Sequence, residues 1–480
     1  MFLGIDIGTS GVKAVVIDDQ GLVAGQGTAG ITVSRPHDLW SEQSPDSWWQ
    51  ATEAAVRAID PALRRSVRAI GLAGQMHGAT LLDEQDRPLR PCILWNDGRS
   101  FAECAELEER VPALREISGN IAMPGFTAPK LLWVAKHEPE IFARTRTILL
   151  PKDFVRLQMT GERATDMSDA AGTIWLDTAA RAWSPELLAA CGLDTSHMPA
   201  LYEGNEATGV LRASVAEAWG MGIVPVVGGG GDNAAGAVGV GVVRNGDALL
   251  SLGTSGVIFV ANDRFSPNPA EAVHAFCHAI PDTWHQMAVH LSAASCIDWV
   301  ARLTGVSGPA ELFARAETVG PGGTDALFLP YLSGERTPHN DSRVRGAFLH
   351  LENDTDGPAL ARAVLEGVAF GLADGLRVLK NAGADVRELA VIGGGARSSY
   401  WGRIIAAALE TPLVYLSGGE VGPALGAARL AQSHAERVSP AEICVRPHVS
   451  SRIEPDPEIA EKLARKRELF GKGYSHIKDF

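Results

Sequence analysis

Leu3-Gly-Ile-Asp-Ile-Gly8-Thr-Ser-Gly-Val12-Lys-Ala-Val-Val-Ile17 and Ala248-Leu-Leu-Ser-Leu-Gly253-Thr-Ser-Gly-Val257-Ile-Phe-Val260 share the pentapeptide Gly-Thr-Ser-Gly-Val, 245 residues apart in a chain of 480. In each copy the pentapeptide lies between apolar, β-branched runs. Strand, short loop, strand is a hairpin pattern, and a repeat at half the chain length predicts two similarly built halves. Small loop residues leave backbone N–H groups and hydroxyls open to an oxyanion such as phosphate. Two such loops facing each other across a cleft can hold the two ends of a polyphosphate. The copies differ at one informative place: Asp6 stands where the second carries Ser251. A carboxylate repels phosphate but suits the magnesium that accompanies a nucleotide. The plain alternative is two hairpins with polar turns.

A chain of this length is expected to divide into two domains or three. Its net charge of −14 argues against nucleic acid and anionic membrane as partners. Six scattered cysteines without a C-x-x-C pair suit a reducing cytoplasm and no zinc site. His274-x-x-Cys277-His278 alternates with apolar residues and reads as a strand. The sequence opens into a strand with no export signal expected. The apolar stretch from Ile223 to Val243 is broken by four glycines, Asp232 and Asn233, so no membrane span is expected.

Strands are predicted at Leu3–Ile7, Val12–Ile17, Arg68–Leu72, Thr80–Leu82, Thr147–Leu150, Val224–Val227, Trp284–His290 and Leu389–Ile392. Helices are predicted at Pro45–Ile59, Ala102–Arg110, Pro151–Met159, Ala293–Thr304 and from Pro358 to about Asn381. This is a mixed α/β pattern, with a domain junction near Gly239–Arg244 that gives residues 1–242 and 243–480. The charged tail from Pro455 to Lys472 reads as a surface helix. Neither a G-x-x-x-x-G-K-[ST] loop nor a strand-closing G-x-G-x-x-G occurs, so the phosphate cradle is of another kind.

Four further junctions carry chemistry. Gly228-Gly-Gly-Gly-Asp232-Asn233 follows a strand and precedes a helix, so Asp232 is either a base near a bound hydroxyl or an N-cap. The four glycines are expected to let a ligand approach the backbone. Gly393-Gly-Gly-Ala-Arg follows Leu389–Ile392 and is expected to bed a nucleoside. Gly74-Gln-Met-His-Gly78 and Leu94-Trp-Asn-Asp-Gly-Arg99 place polar and aromatic groups at strand ends, where open α/β sheets bind ligands. For His77 alone, a hydrogen-bonded packing role is the simpler reading.

Taken together, and in this order along residues 2–435, these segments resemble the FGGY carbohydrate kinase family. Gly125-Phe-Thr-Ala-Pro-Lys130 and Gly334-Glu-Arg-Thr-Pro-His339 belong to the same pattern. Ser34 to Gln43, the Met76-His77 and Trp95 segments, and Asp166 to Gly172 resemble most closely the members that phosphorylate D-xylulose. Glycerol-specific members have arginine and glutamate where Met76 and His77 stand. The resemblance implies two RNase H-like domains of the actin/hexokinase ATPase type, with ATP, magnesium and a small-molecule sugar in the cleft between them. It implies Asp232 as catalytic base and Asp6 as catalytic magnesium ligand. Thr9, Ser10 and Lys13 would line one side of the phosphates, and Gly253, Thr254 and Ser255 the other. Gly394 and Gly395 would bed adenosine; Met76, His77, Trp95 and Asn233 would hold the ketose with Asp232. A kinase for another ketopentose such as L-ribulose, or an actin-like nucleotide switch, is the alternative. Monomer and homodimer both stay open.

Overall fold

The computed structural model describes all residues except 321–322, 418–421 and 480. Fourteen strands form its two main sheets: β1 (Phe2–Ile7), β2 (Gly11–Ile17), β3 (Val23–Gly30), β4 (Ile70–Gly74), β5 (Ala207–Val210), β6 (Pro225–Val227), β7 (Gly230–Gly231), β8 (Ala248–Leu252), β9 (Gly256–Asn262), β10 (His274–Cys277), β11 (Trp284–His290), β12 (Leu389–Ile392), β13 (Leu413–Leu416) and β14 (Val449–Ile453). The helices needed below are α1 (Pro45–Arg57), α2 (Thr127–His137), α3 (Pro151–Thr160), α4 (Asp232–Gly239), α5 (Ala294–Thr304), α6 (Gly357–Asn381), α7 (Gly422–Glu436) and α8 (Pro457–Ile477).

The two sheets repeat one topology. The first runs β5-β6-β4-β1-β2-β3, with β7 beside β4; the second runs β10-β11-β9-β8-β12-β13-β14. In each, a hairpin strand pairs antiparallel with its partner (β1 with β2, β8 with β9) and parallel with a later strand (β4, β12). Both faces of these strands are covered, which is why they read as nearly continuous apolar runs. In the second sheet Leu250, Leu252, Ile258 and Val260 face the core built on α6, while Leu249, Phe259 and Ala261 face the opposite core.

The repeat is not copied into the hairpin geometry. In the first hairpin Ile7 pairs with Val12 and Asp6 with Lys13. In the second Leu252 pairs with Gly256 and Ser251 with Val257, a register one residue tighter. The identical pentapeptide therefore closes a four-residue loop in one half and a three-residue loop in the other. The second loop's carbonyls receive the first N–H groups of α5: Ala294 N donates to Gly253 O and Ala293 N to Thr254 O, both at 2.9 Å. That demand of a helix N-terminus for acceptors accompanies the tighter turn.

The halves are joined by exchanged helices. α7, from the second half, lies on β1 and β4 of the first sheet. A Cβ at Gly4 would sit 1.9 Å from Ala424 O, one at Gly71 2.0 Å from Ala427 O, and one at Gly426 1.7 Å from Ala235 O on α4. These contacts are backbone against backbone, which any side chain would prevent. Beyond α4, Val240 and Val242 enter the core beneath the second sheet.

The predicted strands and helices are present, with ends displaced by at most two residues except in the tail, whose helix runs on to Ile477. The tail differs in character. α8 is not a surface ornament: Leu463 and Phe470 are buried in the second core, and Lys466 donates to Thr324 O at 2.7 Å and Ala326 O at 2.8 Å. Its apolar stripe is interleaved with charge, which hid it in the sequence. Among the described residues no helix is long and apolar enough to cross a membrane, and all six cysteines are free.

Candidate active site

Asp6 and Asp232 lie at the same end of the first sheet. Ile7 pairs with Gly74, and Gly74 with Gly231, so the strand carrying Asp6 and the residue before Asp232 are two strand positions apart, about 10 Å. This is the carboxyl end of parallel strands, where α/β sheets bind ligands. Burial, with the charge of Asp232 added and Lys13 opposing, pushes the Asp6 carboxyl up to about 7. Burial likewise raises Asp232 to about 6, against hydrogen bonds from Asn233, whose N and Nδ2 donate to its Oδ1 at 2.7 and 3.0 Å. Asp232 is not the N-cap of α4. Gly231 holds that position without a side-chain bond, and Asp232 is the first helical residue.

The four glycines are required by the protein's own packing. A Cβ on Gly228 would meet Glu203 O at 2.3 Å, on Gly229 Leu72 O at 1.8 Å, and on Gly230 the Ala279 side chain at 2.7 Å. Only Gly231 gives way to a residue of the proposed sugar pocket, Met76, whose Cγ and Sδ would be 2.8 Å from its Cβ.

Met76 is buried and His77 follows in a left-handed conformation with φ of 69°. That backbone is held by its carbonyl, which accepts from Lys130 Nζ at 2.8 Å and Thr127 Oγ1 at 3.2 Å. Burial, with Lys130 and Arg336 nearby, lowers the imidazole to about 3, so it is neutral. Its Nδ1–H donates to Gly172 O at 2.7 Å, which leaves Nε2 as an acceptor for a hydroxyl. The ring sits edge-on to Phe126 at 4.7 Å, and Phe276 of the second half lies 6.4 Å away.

Trp95, 48% exposed, is tied elsewhere than expected. Its indole N–H donates to Thr9 Oγ1 at 3.0 Å; Thr9 Oγ1 donates to Gln75 Oε1 at 2.9 Å. Gln75 Nε2 donates to Gln43 Oε1 at 2.9 Å, and Gln43 Nε2 returns to Thr9 O at 2.6 Å. The first loop is thus clamped by residues of the segments singled out in the sequence for the sugar. Ser10 and Thr254 are exposed at their loop tips, with Lys13 and Ser255 partly so. Beside the second loop, a Cβ on Gly394 would meet nothing within 4 Å, whereas on Gly395 it would meet Trp401 and Leu252 at 2.8 and 2.9 Å. Gly394 presents bare backbone to solvent; Gly395 is glycine for packing.

Residues 1–239 match the model of the FGGY family of carbohydrate kinases, N-terminal domain, and residues 248–435 that of the C-terminal domain. The chain belongs to the FGGY carbohydrate kinases. It is 58% identical over 433 residues to the xylulose kinase of Escherichia coli (strain K12), covering 90% of each chain. It is 52% identical to that of Klebsiella pneumoniae, over 100% of this chain and 99% of the relative. The crystal structure described as a xyloylose kinase from Brucella ovis superposes with a TM-score of 0.96 at 51% identity, over 99% of both chains.

As an FGGY kinase the protein phosphorylates a small-molecule sugar using ATP. A magnesium ion fits one feature of the site: Asp6 Oδ1 is buried without a hydrogen-bond partner among the described residues. Among the described residues no group of three or more His, Cys, Asp or Glu is arranged to hold a metal alone. A cation at Asp6 would therefore need phosphate oxygens or water to complete its shell, the usual arrangement for magnesium with a nucleotide.

Sequence reasoning quoted the segment ending in Lys130 but gave that residue no role. In this kinase it is fully buried, and burial lowers its ammonium to about 7. Among the described residues it bonds only carbonyls, those of His77 and Gly125, at 2.8 and 2.7 Å. Lys130→Met should release the strained His77 backbone and raise the sugar KM about tenfold or more, leaving the ATP KM within about twofold. Steady-state kinetics with each substrate varied in turn checks this, and an equal rise in both constants would contradict it.

Proposed function

We propose that this kinase transfers the γ-phosphoryl group of ATP to the C5 hydroxyl of D-xylulose, giving D-xylulose 5-phosphate. The observation that carries the reading is the neutral His77 beside buried Met76, at the sheet end that also presents Asp232. An apolar wall and one acceptor nitrogen suit the carbon chain of a ketose. A pocket for small, flexible glycerol needs stronger anchors. The names of the relatives support the same substrate.

In this reading Asp232 accepts the hydroxyl proton as the oxygen attacks phosphorus in line. With its carboxyl at about 6 it is ionised at neutral pH yet basic enough for the task. Asp6 holds magnesium, which when bound offsets charge on the phosphates. Thr9, Ser10 and Lys13 line one flank of the phosphates and Gly253, Thr254 and Ser255 the other; Lys13 offsets charge on the transferred group. Gly394 and Gly395 lie under the adenosine, the former in contact with it. Asn233 and Met76 border the sugar, while Trp95 steadies Thr9 and offers its indole face. Residues 1–242 and 243–480 act as the two domains of a cytoplasmic enzyme, whether monomer or homodimer, and close on the sugar to exclude water.

A coupled ADP-release assay over pentuloses and polyols tests the substrate. D-Xylulose should exceed its epimers by roughly tenfold to a few hundredfold in kcat/KM, since each unpaired buried hydroxyl costs about 1–3 kcal/mol. Glycerol should be poor, and His77→Ala should damage ketose discrimination more than ATP affinity. Equal kcat/KM for glycerol and D-xylulose would refute the assignment; preference for L-ribulose would move it to that sugar.

A further inference from the structure

Under the glycine loop lies a cluster of five charged side chains, all without solvent exposure: Lys152, Asp153 and Arg156 on α3, and Asp166 and Asp169 beyond it. Lys152 Nζ lies 2.7 Å from Asp153, 2.8 Å from Asp166 and 3.0 Å from Asp169. Such clusters are poor sources of stability, because the desolvation of each ion offsets what pairing returns. This one is not even satisfied: Asp153 Oδ2 and Asp169 Oδ1 find no donor among the described residues. Its outward bonds show what it holds.

Arg156 donates from one nitrogen to Val227 O at 2.7 Å and Thr208 Oγ1 at 2.8 Å, and from the other to Gly228 O at 2.5 Å. Asp166 Oδ2 accepts from Ser168 N at 2.8 Å and Ser168 Oγ at 2.5 Å. With its proton given to Asp166, the Ser168 oxygen accepts from Gly231 N at 3.0 Å. The cluster thus grips both ends of the Gly228–Gly231 loop, and Gly231 is the residue before Asp232. A run of four glycines has the most backbone freedom a chain can have. Left alone it would let the carboxylate wander, and displacement of about 1 Å can cost about a hundredfold in rate.

We propose that the Lys152–Arg156–Asp166–Ser168 network is a positioning device for Asp232, clamping the tetraglycine loop so that the base is held in line with its hydroxyl. The proposal rests on Asp232 being the base. It separates roles within the fold: the network governs kcat, and the residues around His77 govern sugar affinity.

The test compares Ser168→Ala, Arg156→Lys, Asp232→Asn and the double variant Ser168→Ala/Asp232→Asn, with folding checked by thermal melting. Ser168→Ala removes the hydroxyl that accepts from Gly231 N–H. Arg156→Lys keeps the charge and loses the fork to the two carbonyls. Each should lower kcat about tenfold with both KM values within twofold. In the Asp232→Asn background Ser168→Ala should have no further effect, because there is no base left to position. Should Arg156→Lys fail to fold, Ser168→Ala still decides. Wild-type kcat in Ser168→Ala beside an inactive Asp232→Asn would overturn the positioning role alone. Losses that multiply in the double variant would overturn it too, as the mark of a structural effect. Wild-type turnover in Asp232→Asn would overturn the base and this proposal together.

Discussion

Replacement of Asp232 by asparagine should lower kcat for D-xylulose by about 10²–10⁴ while ATP binding, measured by nucleotide titration, stays within a few-fold. The side chain keeps its shape and loses the lone pair that takes the proton, and general-base catalysis is typically worth that factor. A second signature separates loss of the base from simple damage. Burial raises the Asp232 carboxyl to about 6 from an ordinary value of 3.8. The folded protein therefore binds that proton more tightly than the unfolded chain, and stability falls as pH rises from about 4 through 6. An amide at this position escapes the penalty. Asp232→Asn should melt a few degrees higher than the parent protein at pH 8, with the gap closing near pH 4. The parent's kcat/KM should fall on the acid side as pH drops through about 6. Near wild-type turnover in the variant would mean the wrong base.

Asp6→Ala should be the second most damaging change, and Ser251→Ala at the corresponding place should be nearly silent. The first hairpin pairs Asp6 with Lys13 across the strands, while Ser251 faces Val257. Of the two, only Asp6 offers a buried carboxyl oxygen without a hydrogen-bond partner among the described residues. A metal at a transferring phosphoryl group supplies several kcal/mol, so Asp6→Ala should lower kcat/KM about 10²–10³ and raise the magnesium needed for half-maximal rate. Calorimetric titration of Mg·ADP should show weaker binding for Asp6→Ala alone. Equal, small effects of both changes would reduce Asp6 to an ordinary strand residue.

These two carboxylates were legible in the sequence because each stands at a strand end flagged by small residues. The strands were legible because sheets covered on both faces demand unbroken apolar runs, as in Leu3–Ile7 and Trp284–His290. What could not be read depends on partners far along the chain. Lys152 and Arg156 look like the wet side of an amphipathic helix until Asp166, Asp169 and Gly228 are brought against them. Lys130 reads as a helix lysine until its ammonium meets the carbonyl of His77, 53 residues away. The second loop was read as a copy of the first, and only the helix that follows Ala293 explains why its register is tighter. Gly228 to Gly230 signalled a ligand, yet their nearest claimants are Glu203, Leu72 and Ala279.

The seating of α7 on Gly4 and Gly71 sets a timetable for biosynthesis. β1 leaves the ribosome well before the helix that roofs it, which is encoded at residues 422–436. At roughly 5–20 residues per second, most of a minute can separate the two events. Throughout that interval the nascent first sheet has a glycine-lined, apolar face that α4 covers only in part. A chain terminated after the first family domain keeps Asp6, His77 and Asp232 and still lacks the lid on its own sheet. Expression of the halves as separate genes would thus call for residues 422–436 to travel with the first.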